Sequence, residues 1–303
     1  MPHAIDANHG FTLNNDVSMP ALGFGVFRAE PAETVGAVRS AIEHGYRLID
    51  TASVYNNERE VGEAVRYSGI ARPDVFLTTK VWITDFGRDA TRRAFDRSVQ
   101  ALGTDYVDLY LVHWPVPDNF GATIEAYQAA QAIMAEGRIR AIGVCNFRPL
   151  DLDLLVRETG HVPAVNQVEL HPLFNQPDVR AANERLGIVT QAWSPIGGIN
   201  RYGQKQTGGE ATADPLSNRS VVALAEKYRK TPAQIVLRWQ LEIGTSPIPK
   251  SVRASRIAEN IDVFDFSLLF DEVEVISALD SGERGGPDPA VVSPETFPLT
   301  IAR

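Results

Sequence analysis

The chain has 303 residues, of which 44% are apolar and 22% charged, enough to bury a full core and too ordinary in composition for a disordered protein. Asp and Glu (38) outnumber Lys and Arg (29), and the formal charge of −9 excludes nucleic acid and anionic membrane as partners for most of the surface, so an anion needs a local basic cluster. The single cysteine, Cys145, excludes an intrachain disulfide and suits a reducing, cytoplasmic setting, the start (MPHAIDANHGF) lacks a signal-peptide pattern, and no run of about 20 apolar residues offers a membrane span.

Phe11–Leu13 and Val17–Met19 flank Asn14-Asn15-Asp16 and read as a small hairpin. Beyond it, strand-like and helix-like patterns alternate. Strands are expected at Ala21–Phe27, Arg47–Asp50, Val75–Lys80, Val107–His113, Ala141–Cys145, Ala164–Glu169, Ile188–Trp193 and Ser246–Pro249. They are short, rich in Val, Ile, Leu and aromatics, and mostly continuous rather than alternating. Amphipathic helices are expected at Pro31–Glu43, Arg88–Leu102, Thr123–Ala135, Asp178–Arg185 and Ser220–Lys230, and Pro31, Pro149 and Pro177 stand where helices tolerate proline. Continuous apolar strands separated by helices indicate a parallel sheet covered on both faces. Eight of them favour a closed (β/α)₈ barrel over an open doubly wound sheet. The polar, glycine-bearing Gly198–Asn218 stretch is expected as a mobile loop over the barrel top. The tail from Ser281, with Pro287, Pro289, Pro294 and Pro298, is expected as a flap over the active-site face. No linker separates two compositions, so residues 1–303 are expected to form one barrel domain.

Active sites of β/α barrels lie at the C-terminal ends of the strands. Those ends supply Asp50, Lys80, His113, Asn146, Gln167, Trp193, Ser194, Lys250 and Ser251, and Tyr55 follows on the loop after the second strand. Taken singly, each has an ordinary structural explanation: Asp50 as a helix cap, Lys80 as a snorkelling lysine, His113 as a hydrogen-bonded core histidine. Their convergence on one face is what those explanations do not cover. Together they fit a general acid. A phenol with an ordinary pKa near 10 is a poor donor at neutrality, an adjacent ammonium favours its phenolate, a carboxylate holds that ammonium charged, and a histidine orients a substrate oxygen. There is no activated Ser or Cys nucleophile and no metal-ligand spacing. The set matches carbonyl reduction with hydride brought by a cofactor.

Gly23-Phe24-Gly25-Val26-Phe27-Arg28 starts like a dinucleotide-binding turn but has Arg where the third glycine belongs. Ile248-Pro249-Lys250-Ser251-Val252-Arg253-Ala254-Ser255-Arg256, running on to Glu259 and Asn260, is the better anion site. It follows the last strand, where barrels often bind phosphate, and gathers Lys250, Arg253 and Arg256 on an acidic chain. A solvated helix start is the competing explanation of these charges. No carboxylate is placed for a ribose 2′-hydroxyl, so the cluster suits a 2′-phosphate and NADPH.

Gly45-Tyr46-Arg47-Leu48-Ile49-Asp50-Thr51-Ala52 with Tyr55-Asn56-Asn57-Glu58, then Leu102 through His113-Trp114-Pro115, then Ile248-Pro249-Lys250-Ser251 through Arg256 and Asn260, resemble in order three signatures of the aldo-keto reductases. The likeness covers nearly the whole chain and extends to bacterial members called 2,5-diketo-gluconate reductases. It implies Tyr55 as proton donor, Asp50 and Lys80 as its tuning pair, and His113 as the carbonyl-orienting group. It further implies that Trp193 stacks on the nicotinamide, that Asn146 and Gln167 bind its carboxamide, and that Gly25, Val26, Asp50, Cys145 and Ser194 lie against the cofactor. Lys250, Ser251, Val252 and Arg256 would hold the 2′-phosphate end, with Glu259 and Asn260 near the adenine. Phe27, Tyr55, Trp82, His113 and Trp114, with Val26, would line the pocket of a small-molecule carbonyl substrate, in a monomer. One departure is Cys145-Asn146-Phe147, where the family usually has Ser before the Asn. A thiol is the weaker donor, and weaker nicotinamide binding is expected from it. A Schiff-base aldolase using Lys80 and a non-catalytic NADPH-binding protein are the rival expectations.

Overall fold

The computed structural model describes residues 10–197 and 214–301. The expected loop at Gly198–Asn218 therefore lies outside the described residues except for its last five positions, where Asp214 caps a short 3₁₀ turn over Pro215–Ser217.

β1 (Gly10–Thr12) and β2 (Ser18–Pro20) form the antiparallel hairpin, with Phe11 opposite Met19. Eight parallel strands follow in neighbour order: β3 (Phe24–Gly25), β4 (Leu48–Asp50), β5 (Phe76–Val81), β6 (Val107–Val112), β7 (Ile139–Cys145), β8 (Val165–Glu169), β9 (Val189–Trp193) and β10 (Ser246–Pro247). Backbone bonds from Gly23 N to Pro247 O and from Gly25 N to Pro249 O, each 3.0 Å, join the first strand to the last and close the barrel. Closure explains the continuous apolar strands: β5 and β6 are buried at every residue, because the interior fills one face and helices cover the other.

The helices are α1 (Pro31–Glu43), α2 (Glu58–Arg66), α3 (Arg88–Leu102), α4 (Phe120–Ala135), α5 (Pro149–Thr159), α6 (Pro177–Leu186), α7 (Arg219–Tyr228), α8 (Pro232–Glu242), α9 (Ala254–Ile261) and α10 (Phe270–Ser277). Helix α1 shows the principle: Thr34, Ala37, Val38, Ala41 and Ile42 are buried at the spacing of a single apolar face. Helices α2, α8 and α10 carry no expectation from sequence. In α2 the apolar face is short and includes Gly62, where a Cβ would meet the Leu102 carbonyl oxygen at 2.1 Å. Glycine weakens a helical pattern in sequence, yet here it lets α2 approach the end of α3.

From Ser281 the tail holds neither helix nor strand and crosses the C-terminal mouth of the barrel. Among the described residues no helix is long and apolar enough to cross a membrane, and no cluster of His, Cys, Asp and Glu suits a metal ion.

Candidate active site

β4 delivers Asp50 at its last residue and β5 delivers Lys80 beside it, both into the barrel mouth. Lys80 Nζ donates to Asp50 Oδ1 at 2.6 Å and to the Thr51 carbonyl at 2.8 Å, and its side chain is wholly buried. Its third contact is the Tyr55 hydroxyl, at 3.5 Å. Tyr55 is put there by the 3₁₀ turn Ser53–Tyr55, which ends as Asn56 takes the left-handed conformation (φ 57°). The loop is pinned from both sides: Ser53 Oγ donates to the Lys80 carbonyl at 3.0 Å, and Thr51 Oγ1 donates to Asn57 Oδ1 at 2.8 Å.

His113 follows β6 and wedges between two rings, edge-on to Tyr55 at 5.8 Å and to Trp82 at 5.0 Å. Its Nδ1 is buried without a hydrogen-bond partner among the described residues. Burial, then the Lys80 charge, holds the imidazole well below its usual range, so it is neutral at pH 7. Burial would also strip the proton from Lys80, but the charge and hydrogen bond of Asp50, joined at high pH by the Tyr55 phenolate, outweigh it and raise the ammonium above its ordinary value. Tyr55 corrects the expectation of an acidified phenol. Burial pushes it up, Lys80 pulls it down, Asp50 pushes it up again, and the net result lies above 10. The hydroxyl is therefore fully protonated at neutral pH, and the ammonium beside it favours the phenolate only when the proton leaves.

These groups lie at the base of a cavity of about 420 Å³. Of the residues expected from sequence, Gly25, Phe27, Asp50, Tyr55, Trp82, His113, Trp114, Asn146, Gln167, Trp193, Ser194 and Lys250 line it. Lys80 stands behind Asp50 and Tyr55. Ser251, Val252, Arg256, Glu259 and Asn260 continue from Lys250 along the loop and α9, outside the cavity wall. Among them, Glu259 Oε1 accepts from Thr231 Oγ1 at 2.7 Å and Asn260 is buried in the helix face. Two further expected contacts lie behind the cavity wall. Val26 is fully enclosed, its carbonyl accepting from Asn57 Nδ2 at 3.0 Å, so it braces the Tyr55 loop. Cys145 is also fully enclosed, with Sγ 4.0 Å from Gln167 Oε1.

An amide network runs along the wall. Gln167 Nε2 donates to Asp50 Oδ2 and to Gln191 Oε1, both at 2.8 Å. Trp193 Nε1 donates to Asn146 Oδ1 at 2.9 Å, and Asn146 Nδ2 donates to the His113 carbonyl at 3.2 Å. Asn146 (φ 64°) and Ser194 (φ 50°) both hold left-handed backbone where the strands turn outward, a strain that clusters at functional sites. The opposite wall comes from the tail. Phe297 meets Trp82 at 5.5 Å and Trp114 at 5.7 Å, and the Leu299 carbonyl accepts from Trp82 Nε1 at 2.9 Å. Sequence reading placed a flap here but named neither Phe297 nor Leu299. The prolines mark an extended tail without saying which of its residues turn inward.

The Aldo/keto reductase family profile matches residues 21–281. Morphine 6-dehydrogenase of Pseudomonas putida is 51% identical over 285 residues, 94% of this chain and 96% of that protein. Methylglyoxal reductase DkgA of Salmonella typhimurium is 46% identical over 273 residues, covering 89% and 93%. Among solved structures, a Bombyx mori aldo-keto reductase in complex with NADP superposes with a TM-score of 0.85 at 35% identity, covering 97% of this chain and 98% of that one. A barrel closed around a buried Asp–Lys–Tyr cluster, and likeness along almost its full length, place this chain in the aldo/keto reductase family.

Proposed function

We propose that the chain reduces aldehydes and ketones to alcohols, with NADPH as cofactor and Tyr55 as general acid. The observation that carries this reading is the unbroken contact from Asp50 through Lys80 to Tyr55 at the base of the cavity, with neutral His113 beside it. When bound, NADPH supplies the hydride that the carbonyl carbon accepts. The Tyr55 hydroxyl gives its proton to the carbonyl oxygen as negative charge gathers there, and the Lys80 ammonium stabilises the phenolate left behind. Neutral His113 donates a hydrogen bond to the same oxygen and fixes its position. Phe27, Trp82, Trp114 and Phe297 keep water from the reacting atoms.

The residues present fit the cofactor. Trp193 stands half-buried in the cavity wall, with a ring face for the nicotinamide. Among the described residues Gln167 Oε1 accepts only from the Cys145 thiol, at 4.0 Å, which leaves it an acceptor for a carboxamide N–H. Lys250, Arg253 and Arg256 make no ion pair among the described residues, and they gather where α9 starts, with Ser251 Oγ beside them. That is a phosphate-binding arrangement on an otherwise acidic protein. An amine nucleophile of the aldolase kind needs an unpaired Lys80, whereas Lys80 is held charged by Asp50. The lone buried cysteine supports a cytoplasmic enzyme and the single closed barrel a one-domain chain, and the family resemblance leans towards a monomer.

The test is consumption of NADPH against a panel of aldehydes and ketones, with NADH in parallel. Carbonyl-dependent loss of NADPH absorbance is expected. A protein that binds NADPH and reduces none of the panel would be a binding protein, and a Lys80 adduct trapped by borohydride would make it an aldolase.

A further inference from the structure

Glu169 ends β8 with its side chain wholly buried, and the reduction chemistry gives it no part. Both its oxygens are taken by the tail. Gly285 N donates to Oε1 at 2.8 Å and Gly286 N to Oε2 at 2.9 Å. His171 Nε2 lies 3.2 Å from Oε1, and Arg284 NH1 lies 3.9 Å from Oε2. A carboxylate, an acceptor with two parallel oxygens, matches two consecutive backbone N–H groups, and such charge-assisted bonds are the strong ones.

Gly286 is constrained a second time. A Cβ there would stand 2.6 Å from Cη2 of Trp193 and 3.1 Å from Oε2 of Glu169, so the tail backbone lies directly on the indole edge. The far side of that indole is tied to Asn146. Further along the same tail, Phe297 and Leu299 close the cavity against Trp82 and Trp114. Upstream, Ser281 is held by the Leu173 carbonyl through its N–H at 3.0 Å. The clamp at Gly285–Gly286 thus fixes the tail where it enters the segment that walls the pocket, Pro287 through Val292 to Leu299.

We infer that Glu169 is a positioning residue for substrate selection: it seats the tail on Trp193 and so sets the affinity for bulky carbonyls, touching neither substrate nor cofactor. Its kinetic consequence rests on the reductase reading, whereas the clamp itself rests on geometry alone.

Glu169→Gln keeps the size of the side chain but leaves one acceptor oxygen, and its amide nitrogen must face a glycine N–H, donor against donor. Two measurements decide. The first is hydrogen–deuterium exchange at Gly285 and Gly286 in the protein without cofactor, expected to quicken by roughly tenfold or more in the variant. The second is steady-state reduction of methylglyoxal, a three-carbon carbonyl, and of a naphthyl ketone. KM for the ketone is expected to rise about tenfold, with kcat and both constants for methylglyoxal held within about twofold. Gly286→Ala should reproduce the split with Glu169 intact, because its methyl group lifts the tail from the indole. Unchanged exchange, or equal losses on both substrates, overturns the proposal. If Glu169→Gln does not fold, Gly286→Ala decides alone: a selective rise in the ketone KM supports the clamp and an unchanged KM refutes it. If the wild-type protein reduces neither carbonyl, the reductase reading fails while the exchange comparison still judges the clamp.

Discussion

Lys80 and Asp50 share an ion pair of 2.6 Å, with the lysine side chain wholly buried and the aspartate 3% exposed. Such a pair is costly to assemble and costlier to break, because removal of one partner strands a buried charge. Asp50 keeps Gln167 Nε2 on its other oxygen, which is too little to neutralise it. Lys80→Met is therefore expected to lose about 3 kcal/mol of stability in urea unfolding, together with carbonyl reduction. The ammonium is raised above its ordinary 10.5, so its contribution is complete below that pH and fades as pH rises through the higher folded value. The loss in Lys80→Met should accordingly be full at pH 8, and a loss that appears only above the ordinary lysine value would contradict the pairing.

Tyr55→Phe removes one hydroxyl and leaves Lys80 with Asp50 Oδ1 and the Thr51 carbonyl as partners. The fold and cofactor affinity should survive. Turnover should fall by roughly 10² to 10⁴, the range general acid catalysis commonly supplies. Single-turnover kinetics with NADPH in excess would check it, and near wild-type rates would move the acid to another group.

How much of this was legible beforehand depended on whether the signal was local. Strands β5 and β6 announce themselves because burial on both faces forces continuous apolar runs. The positions of Asp50, Lys80 and His113 followed from strand ends once a barrel was expected, and the motifs named Tyr55. Strand β3 shrank to Phe24–Gly25, since the apolar letters around it serve the braced loop and the barrel seam. Val26 and Cys145 were named by the family resemblance; both are fully enclosed, Val26 under the Tyr55 loop and Cys145 beneath the Gln167 amide, and nothing local in the sequence tells such a lining position from an exposed one. Phe297, Leu299 and Glu169 were invisible as a set. The bonds from the tail to Glu169 and Trp82 span more than 100 residues, and nothing near either end encodes them.

His113 offers an acid-side test. Burial first, then Lys80, lowers its pKa well below 6.5, so the folded chain binds this proton less readily than the unfolded chain does. Its contribution is full above pH 6.5 and is lost as pH falls towards the folded value. His113→Asn should flatten the decline of the unfolding midpoint as pH falls below 6.5. An unchanged slope would mean that the imidazole is not held neutral.

Arg256 stands exposed in the first turn of α9 and forms no ion pair among the described residues, on a chain of net charge −9. A free guanidinium in that setting gains little from its neighbours, and its affinity is available to a phosphate, which it can grip with two parallel N–H groups. NADPH and NADH differ only in the 2′-phosphate, so the two cofactors isolate this contact. Arg256→Ala should raise the NADPH dissociation constant about tenfold or more and leave that for NADH within about twofold. The NADPH loss should shrink as salt rises, since the contact is open to solvent. Fluorescence titration of both cofactors at low and high salt would measure it. Equal weakening of the two would assign Arg256 to the shared pyrophosphate, and no weakening of either would return it to the solvated face of α9.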